Sequence, residues 1–382
     1  MKVALVHDWL TTCGGAERVL EQIIRVLPEA DLFSLIDFLP ETERGFLGGR
    51  PVRTSFLQRL PWARRRYRQY LPLMPFAIEQ LDFSGYDLVV SSSYAVAKGA
   101  LTGPDQLHLC FCHSPMRYAW DLQNQYLKDS GLDRGLRSVL ARWLLHGMRN
   151  WDVRSSTGVD DYIAVSRFVA RRIRKAYRRD ATVIYPPVDT ETFAFSEARR
   201  EPFYFTASRL VSYKRVDLMI EAFAGLPDRQ LVVMGDGPEA ARLRTRLPPN
   251  VRLIGPQPLS VLLDHLQRAR AFVFAAIEDF GIAPVEAQAC GTPVVALGQG
   301  AAPETIRGLD SPQPTGVFFP QQTSQALRSA IMLFERESSR IAPEACRANA
   351  LRFSVERFRL ELDQFIRERY AHFRQELAAV AD

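Results

Sequence analysis

Residues 203–234 read FYFTASRLVSYKRVDLMIEAFAGLPDRQLVVM. The runs at 203–207 and 230–234 are short, apolar and rich in aromatic or β-branched residues, which predicts two buried strands. Residues 217–223 between them predict a helix. Two strands joined through a helix form a parallel pair, because parallel pairing needs a long crossover connection. The stretch therefore predicts a βαβ unit within an α/β fold.

The same alternation extends along both halves of the chain. Around residues 183–202 it breaks at a Pro-Pro pair and a polar segment, which predicts a linker. We expect two Rossmann-like doubly wound domains, residues 1–190 and 191–355, facing a cleft in which ligands bind beyond the carboxyl ends of the strands. Further strands are expected at 2–7, 87–91, 107–111, 162–165, 251–254, 271–274 and 293–296, and helices at 16–27, 260–268, 284–290 and 354–380.

Composition places the chain among globular proteins with more than one domain. It has 382 residues, 47% hydrophobic and 24% charged, and no run of 18 apolar residues that would predict a spanning helix. The five cysteines are few, odd in number and scattered, which favours reduced thiols in a cytoplasmic protein. Cys110 and Cys112 are expected on one face of a strand, and with His113 they supply too few ligands for zinc.

The net charge of +6 lies mostly in the first half of the chain, and arginine dominates it. The densest segment is RLPWARRRYR, residues 59–68. Arginine suits phosphate groups and lipid headgroups through its bidentate fork. A solvated helix face explains any single arginine of this segment equally well.

The segment EDFGIAPVE, residues 278–286, is the strongest chemical signal. We expect Pro284 at the first helical position and Glu286 in the first turn of a short helix that Gly291 ends. The free amides near Ile282 and Ala283 then face an anion such as a diphosphate.

Two carboxylates, Glu278 and Glu286, flank this loop, and Gly281 permits close approach of the backbone. The alternative is that Glu286 only improves the helix amino terminus. Acids eight residues apart are common, so the whole string, rather than the spacing, favours a binding site.

A second signal follows the strand at 203–207. Arg209 and Lys214 lie on the loop before the next helix, where two cations could neutralise a leaving diphosphate in place of a metal. The alternative is an exposed basic loop in which Asp217 caps the helix. This segment alone does not decide between them.

Two weaker signals lie in the first half, each after a predicted strand. Gly14 and Gly15 precede a helix, which suits phosphate approach or an ordinary tight turn. His113 could hydrogen-bond a sugar, although most histidines are structural. The chain has no D-x-D triplet, Walker loop, G-x-S-x-G elbow or clustered metal ligands, which disfavours a metal-dependent sugar transferase, an NTPase and an α/β-hydrolase.

Together these segments resemble the retaining glycosyltransferases of family 4, which have the GT-B fold. The resemblance covers residues 1 to about 300. It rests on GGAER (14–18), HSPMRYAWD (113–121), SRLVSYKRVD (208–217), GDGPE (235–239) and EDFGIAPVEAQACGTPVVA (278–296).

The resemblance implies a role for each candidate residue. Arg209 and Lys214 would hold the diphosphate, and Glu286 would hydrogen-bond the ribose. Glu278 would face the donor sugar with the backbone of Phe280, Gly281 and Ile282, and the amide of Ala283 belongs to the same binding loop. From the first domain, Gly14 and Gly15 would approach the phosphates and His113 would lie beside the anomeric carbon. Segments 235–238 and 254–256 would lie near the base. The C-terminal helix, residues 356–382, would pack back on the first domain.

Residues 54–99 and 112–121 resemble more narrowly the bacterial mannosyltransferases of O-antigen and exopolysaccharide synthesis. This implies GDP-mannose as donor, a lipid-linked saccharide as acceptor, no divalent metal, and a cytoplasmic protein bound peripherally to the inner membrane through residues 59–68. The alternatives are a UDP-glucose or UDP-galactose donor on the same scaffold and, more remotely, a sugar-nucleotide 2-epimerase. The basic pI alone suggests nucleic acid, and no such motif supports it.

Overall fold

The computed structural model describes residues 1–197 and 199–381. The chain divides into two compact units, one formed by residues 1–185 together with the C-terminal helix from residue 358, and the other by residues 186–357. Each unit has its own sheet and its own core.

The first unit contains, in the described part of the chain, a seven-stranded parallel sheet in the order β3-β2-β1-β4-β5-β6-β7. The chain starts in the middle, runs to one edge and returns to build the other edge from β4. This sheet is doubly wound, as predicted. Its strands are β1 Val3–His7, β2 Asp31–Ser34, β3 Val52–Thr54, β4 Leu88–Ser93, β5 Leu107–Cys112, β6 Asp161–Ala164 and β7 Ala181–Val183.

The helices of the first unit cover this sheet. Helix α1 shows why they form: Val19, Leu20, Ile23 and Ile24 recur at helical spacing and are all buried in the sheet's core. The helices are α1 Gly15–Val26, α2 Ala63–Arg66, α3 Met74–Glu79, α4 Gln123–Asp129, α5 Gly135–Ser155 and α6 Arg167–Tyr177. Short 3-10 helices occur at Glu41–Glu43, Gly45–Leu47, Phe56–Arg59, Tyr67–Leu73, Ala97–Gly99 and Ser156–Gly158.

The second unit repeats the arrangement with six parallel strands among the residues described, in the order β10-β9-β8-β11-β12-β13. The predicted strands at 203–207, 230–234 and 271–274 are confirmed to the residue. The strands are β8 Phe203–Ala207, β9 Gln230–Met234, β10 Val251–Leu253, β11 Ala271–Phe274, β12 Val294–Leu297 and β13 Gly316–Phe319. The helices are α7 Val216–Ala224, α8 Ala240–Arg244, α9 Leu259–Arg268, α10 Ile282–Ala289, α11 Ala302–Thr305, α12 Ser324–Glu337 and α13 Pro343–Leu351, with 3-10 helices at Ser212–Lys214 and Ser338–Arg340.

The segment expected as a linker is largely packed. Its first residue, Val183, belongs to strand β7 and pairs with Ala164 of β6. Further on, the Val188 amide donates to the Phe353 carbonyl at 2.8 Å, and Phe193 is buried. The Arg200 guanidinium donates to the Gln267 carbonyl and to the Thr292 hydroxyl, and burial lowers its pKa. Most of this segment is therefore part of the second unit's structure.

The chain ends in the long helix α14, Val355–Ala381. Phe358, Leu362 and Ile366 are buried in the core of the first unit, where the Phe358 ring lies 5.8 Å from that of Phe111. This confirms the predicted apolar stripe and its packing on the first sheet.

The prediction that Cys110 and Cys112 lie on one face of a strand is also confirmed, because both belong to the same core cluster. Burial raises the pKa of the Cys112 thiol well above its ordinary value. Cys13, by contrast, is exposed. Among the described helices, none combines the length and the apolar character needed to cross a bilayer.

Candidate functional site

The main candidate residues of the second unit lie where the order of its sheet reverses. Strands β8 and β11 are neighbours there, although β9 and β10 come between them in sequence. The loops that leave such strands diverge to opposite sides of the sheet and open a crevice for ligands. Arg209 and Lys214 follow β8, and Glu278 follows β11.

The structure brings Lys214 and Glu278 into direct contact. The ammonium of Lys214 lies 2.5 Å from Glu278 Oε1, and both side chains are mostly shielded from solvent. The same ammonium lies 5.9 Å from the centre of the Phe274 ring. Arg209, on the same loop, is exposed. The crevice therefore combines one fixed cation, one solvent-facing cation and a carboxylate.

The loop that carries Arg209 is held by the turn after β9. The Ser208 amide donates to the Met234 carbonyl at 3.1 Å, and the Leu210 amide donates to the Asp236 carbonyl at 2.8 Å. Gly235 has a φ of 133°, and a Cβ added there would lie 1.9 Å from the Ser208 carbonyl oxygen. Only glycine allows the two loops to approach this closely.

The segments expected near the base also adjoin one another. The Gly235 amide donates to the Gly255 carbonyl at 3.0 Å. The ends of β8, β9 and β10 thus form one continuous rim in the second unit.

The backbone of Glu278 is fixed by a glycine that the sequence analysis missed. Gly300, in the loop after β12, has a φ of 69°, and a Cβ there would lie 2.7 Å from the Glu278 carbonyl oxygen. The next amide, of Ala301, donates to that oxygen at 3.0 Å. The string LGQG at 297–300 follows a predicted strand, and its glycines were the available signal.

A second missed residue, Arg215, joins the two loops. Its guanidinium donates to Gln322 Oε1 at 3.0 Å, and the Gln322 amide donates to the Ala275 carbonyl at 2.8 Å. Arg215 has a φ of 54°, a left-handed conformation that is costly for a residue with a side chain. Helix α7 begins directly after it, so Asp217 lies inside the first turn, and the alternative that Asp217 caps the helix is wrong.

The helix that follows Glu278 starts earlier than predicted. Gly281 takes a left-handed conformation, φ 86°, and turns the chain into α10 at Ile282. Pro284 is then the third helical residue and Glu286 the fifth. The predictions that Pro284 takes the first helical position and that Glu286 lies in the first turn are therefore wrong. Proline is tolerated there because the first amides of a helix have no partner within it.

Around the start of α10, nearby side chains are buried, while the backbone presents the amino-terminal end of the helix. Phe280 is buried against Phe353, with the ring centres 5.4 Å apart. Glu286 is only 7% exposed. The amides of Ile282 and Ala283 belong to the first turn of α10, the positive end of the helix dipole. The loop can therefore present backbone donors to an anion.

The first unit has a matching reversal between β1 and β4. Helix α1 begins at Gly15, which is exposed, and Gly14 caps it. The Gly14 amide donates to Glu17 Oε2 at 2.8 Å. Both predicted glycines thus lie at a helix start beside the crevice of the first sheet.

His113, the other candidate of the first unit, is held in a hydrogen-bonded series. Its Nε2 lies 2.9 Å from the Ser92 hydroxyl, which lies 3.1 Å from His7 Nδ1. His7 Nε2 lies 3.4 Å from Glu17 Oε1. Burial, with a smaller contribution from His7, lowers the pKa of His113 to about 3, so the ring is neutral at physiological pH.

Asp8 has a structural environment. It is fully buried, and its carboxylate accepts from the four successive amides of residues 94–97, at 2.6 to 3.0 Å. Burial raises the pKa of Asp8, and these amides oppose the rise. The carboxylate fixes the loop after β4 and has no oxygen left for a ligand.

Most of the HSPMRYAWD segment is also structural. Met116 is buried, and Trp120 Nε1 donates to Asp152 at 2.7 Å. Asp121 accepts from Arg172 at 2.6 Å. Asp152 also pairs with the buried ammonium of Lys98. The segment is thereby fastened to α5 and α6 on either side, which fixes the position of His113.

Two family models match the chain, and together they span most of it. Residues 13–192 match the model described as Glycosyltransferase Family 4, and residues 188–353 match Glycosyl transferases group 1. The two units therefore correspond to the two glycosyltransferase domains that these models describe.

Curated relatives match over part of their length. A GDP-mannose-dependent monoacylated alpha-(1-6)-phosphatidylinositol monomannoside mannosyltransferase of Corynebacterium glutamicum is 30% identical, over 43% of this chain and 51% of the relative. A D-inositol 3-phosphate glycosyltransferase of Mycolicibacterium gilvum is 36% identical, over 33% of each chain. The chain thus spans about half or less of these relatives.

Solved structures share the fold over nearly the whole length of the chain. Anabaena HepE in complex with UDP has a TM-score of 0.70 at 19% identity, covering 96% of this chain and 100% of that one. Sucrose-phosphate synthase of Thermosynechococcus elongatus has a TM-score of 0.71 at 17% identity, covering 97% and 100%. At this identity the likeness shows the fold, which is GT-B, as predicted.

Proposed function

We propose that this protein is a retaining, metal-independent glycosyltransferase that moves mannose from GDP-mannose to a lipid-linked saccharide. The observation that carries the proposal is the Lys214–Glu278 pair, with Arg209 on the same loop, at the reversal point of the second sheet. A cation beside a carboxylate suits a ligand with a diphosphate next to a sugar. Sugar nucleotides have these two parts.

The donor is expected to bind with its diphosphate against Arg209, Lys214 and the first amides of α10. The Glu278 carboxylate accepts hydrogen bonds from sugar hydroxyls, and Glu286 accepts them from the ribose. These two cations and the helix terminus supply the charge compensation that a divalent metal gives elsewhere.

In the reaction, the bond between the anomeric carbon and the diphosphate oxygen breaks. The acceptor hydroxyl forms a new bond to the same face of that carbon, and its proton goes to the departing diphosphate. Arg209 and Lys214 stabilise the charge that develops on the leaving group. His113 hydrogen-bonds the sugar and stabilises its oxocarbenium-like state.

The mannosyl donor is supported by a relative. The C. glutamicum relative is named as GDP-mannose-dependent. A UDP-sugar is the second candidate, because Anabaena HepE was solved with UDP-glucose. The 2-epimerase alternative gains no support from the matches described above.

The expected lipid-linked acceptor is supported by the segment at residues 59–68. Trp62 is 73% exposed, and Arg64, Arg65 and Arg66 are all exposed. An exposed indole among arginines is the composition of surfaces that bind anionic lipid headgroups.

Helix α5 adds a second surface of this kind that the sequence analysis missed. Leu136, Val139, Leu140 and Trp143 follow helical spacing and are exposed, Leu136 to 89% and Trp143 to 67%. The exposed residue Arg137 lies among them. We propose that both surfaces bind the inner leaflet of the inner membrane and that the protein is otherwise cytoplasmic.

A donor panel tests the function. Purified protein is incubated with GDP-mannose, UDP-glucose or UDP-galactose and a polyprenyl-linked saccharide, in EDTA and in Mg²⁺. We expect transfer from GDP-mannose, equal rates in both conditions, and an α-linked product by NMR. A strict metal requirement or an inverted product would overturn the mechanism, and transfer from a UDP-sugar alone would overturn the donor.

Vesicle sedimentation tests the membrane surfaces. We expect binding to anionic vesicles and little binding to zwitterionic ones. Binding should fall in Trp62→Ser and in Trp143→Ser, while Leu351→Ser, at an exposed leucine of the second unit, should bind normally. Equal binding by all three variants would contradict the assignment.

A further inference from the structure

His113 is connected to Glu17 through two intermediate side chains in the first unit. His7 is the last residue of β1, Ser92 lies in β4, and Glu17 lies in the first turn of α1. The register pairs His7 with Ser92 on neighbouring strands. His7, Glu17 and Ser92 are buried, so their hydrogens are constrained by one another rather than by water.

The positions of the hydrogens follow from Glu17. Burial alone would raise the pKa of its carboxyl, but the hydrogen bond and charge of His7, together with the Gly14 amide, outweigh burial and lower the pKa. An ionised carboxylate only accepts hydrogen bonds. His7 Nε2 must therefore carry a hydrogen.

When His7 is neutral, its Nδ1 has a lone pair and can only accept. The Ser92 hydroxyl then donates to His7 and accepts from His113, so the hydrogen of His113 is on Nε2. When His7 is protonated, its Nδ1 donates to Ser92. The Ser92 hydroxyl then turns to donate to His113 Nε2, and the hydrogen of His113 is on Nδ1.

We propose that Glu17, His7 and Ser92 are positioning residues that decide which ring nitrogen of His113 carries its hydrogen. His113 Nδ1 makes no hydrogen bond within residues 1–197 and 199–381. It accepts a hydrogen bond from a ligand hydroxyl while His7 is neutral and donates one when His7 is charged. That the ligand is a donor sugar rests on the proposed function.

Four titratable groups surround His7. Glu17 faces its Nε2, and His113 is reached through Ser92. The Tyr94 ring meets the His7 ring edge-on with centres 5.7 Å apart. Asp8 is the next residue in the chain, with its carboxylate bound to backbone amides. Of these four groups, His113 is the histidine, and burial lowers its pKa to about 3. The neutral His113 therefore responds to His7 by moving its hydrogen to the other nitrogen, without gaining charge.

The test is nitrogen NMR of the full chain labelled with ¹⁵N-histidine, with His113 assigned from the spectrum of His113→Gln. Long-range proton–nitrogen spectra distinguish the two neutral tautomers from the cation. As the pH is lowered and His7 takes up its second proton, we expect the hydrogen of His113 to move from Nε2 to Nδ1. The protonated and unprotonated nitrogen signals should exchange places.

Ser92→Ala removes the link, so its His113 tautomer should no longer change with pH. Ser91→Ala is the matched control, because Ser91 bonds His108 at 2.8 Å and takes no part in the series. A wild-type His113 that keeps the same tautomer while His7 becomes charged, or a change that persists in Ser92→Ala, would overturn the inference. If the wild-type protein shows the tautomer change but turns over no donor, the proposed function is contradicted instead of the inference.

Discussion

At the scale of single residues, the Lys214–Glu278 pair has two consequences. The contact holds the ammonium close to where a diphosphate is expected, so that little reorganisation is needed when a donor binds. It also fixes the orientation of the Glu278 carboxylate in a mostly shielded position. The contact thus orients both side chains before a ligand binds.

Lys214→Ala should remove one stabilising cation from the leaving group. We expect kcat/KM for the donor to fall by about 10²- to 10³-fold, as for loss of one preorganised donor in other active sites. Steady-state kinetics with the preferred donor measure the loss. Lys128→Ala, at an exposed lysine in α4 of the first unit, is the control and should have wild-type kinetics. A loss below threefold in Lys214→Ala would argue against its role.

Asp8→Asn should reduce stability rather than specifically impair catalysis. The four amides of residues 94–97 all point at its two oxygens, and an asparagine offers one oxygen and a donor that faces other donors. We expect a loss of about 2–4 kcal/mol in the free energy of unfolding, from several hydrogen bonds to a charged group. Urea titration measures it, and Asp105→Asn, at an exposed aspartate of the same unit, should be neutral. Unchanged stability with abolished transfer would instead make Asp8 catalytic.

At the scale of elements, glycines set the shape of the second unit's crevice. Gly235 and Gly300 each allow one loop to lie directly on the carbonyl of another, beneath Arg209 and Glu278 respectively. These two glycines therefore position the loops that carry the candidate ligand-binding side chains. A larger residue in place of either glycine would not fit.

Gly235→Ala should therefore impair donor binding. A Cβ 1.9 Å from the Ser208 carbonyl would displace the Arg209 loop. We expect a loss of about 1–3 kcal/mol in stability from the strained conformation and a weaker thermal shift with GDP-mannose. The control is Gly147→Ala in helix α5, where a Cβ meets nothing within 4 Å and the helix should gain up to about 1 kcal/mol. Equal behaviour of the two variants would contradict the close-packing argument.

The alternation of strands and helices was predictable because each strand is short, apolar and bounded by polar residues. Strands β2, β3, β7 and β13 were not predicted. Each has only three or four residues, and β3 and β7 have no fully buried residue. The predicted start of α10 is two residues too late. Gly281 was expected to belong to a loop, but its left-handed conformation caps the helix. Local backbone conformation of this kind has a weak sequence signal.

Within the candidate site, the charged residues in glycine-rich strings were predictable, but the residues that hold them in position were not. Lys214 and Glu278 were both named from their motifs, but their contact depends on β8 and β11 being neighbours. Gln322, His7 and Ser92 lie far from those motifs in sequence. Their partners are set by strand order and register, which a single sequence does not reveal.

At the scale of the whole molecule, the two units share one topology. In each sheet the first strand is central and the chain reverses beside it, between β1 and β4 and between β8 and β11. In both units the candidate residues lie beside that reversal. The two units nonetheless differ in chemistry, since one has a cation and a carboxylate in contact and the other has histidines joined through a hydroxyl.

The units should also differ in how their stability depends on pH. In the first unit, His108 is buried, its Nδ1 lies 3.1 Å from the Gly158 carbonyl and its Nε2 lies 2.8 Å from the Ser91 hydroxyl. A neutral ring satisfies both contacts. Burial, with a smaller effect from Lys98, lowers its pKa to about 4 from 6.5. The unfolded chain therefore binds a proton at a higher pH than the folded unit does.

Stability of the first unit should be fully present above about pH 6.5 and should fall as the pH drops towards about 4, by an amount on the order of 3 kcal/mol from His108. All five tryptophans, Trp9, Trp62, Trp120, Trp143 and Trp151, lie in this unit, so tryptophan fluorescence in urea follows its unfolding separately from the second unit. His108→Gln should make the dependence between about pH 7 and pH 4.5 less steep, with the contribution of His113 remaining. His146→Gln, at an exposed histidine of α5, should leave the dependence unchanged. The same slope in His108→Gln as in the wild type would show that other groups cause the acid sensitivity.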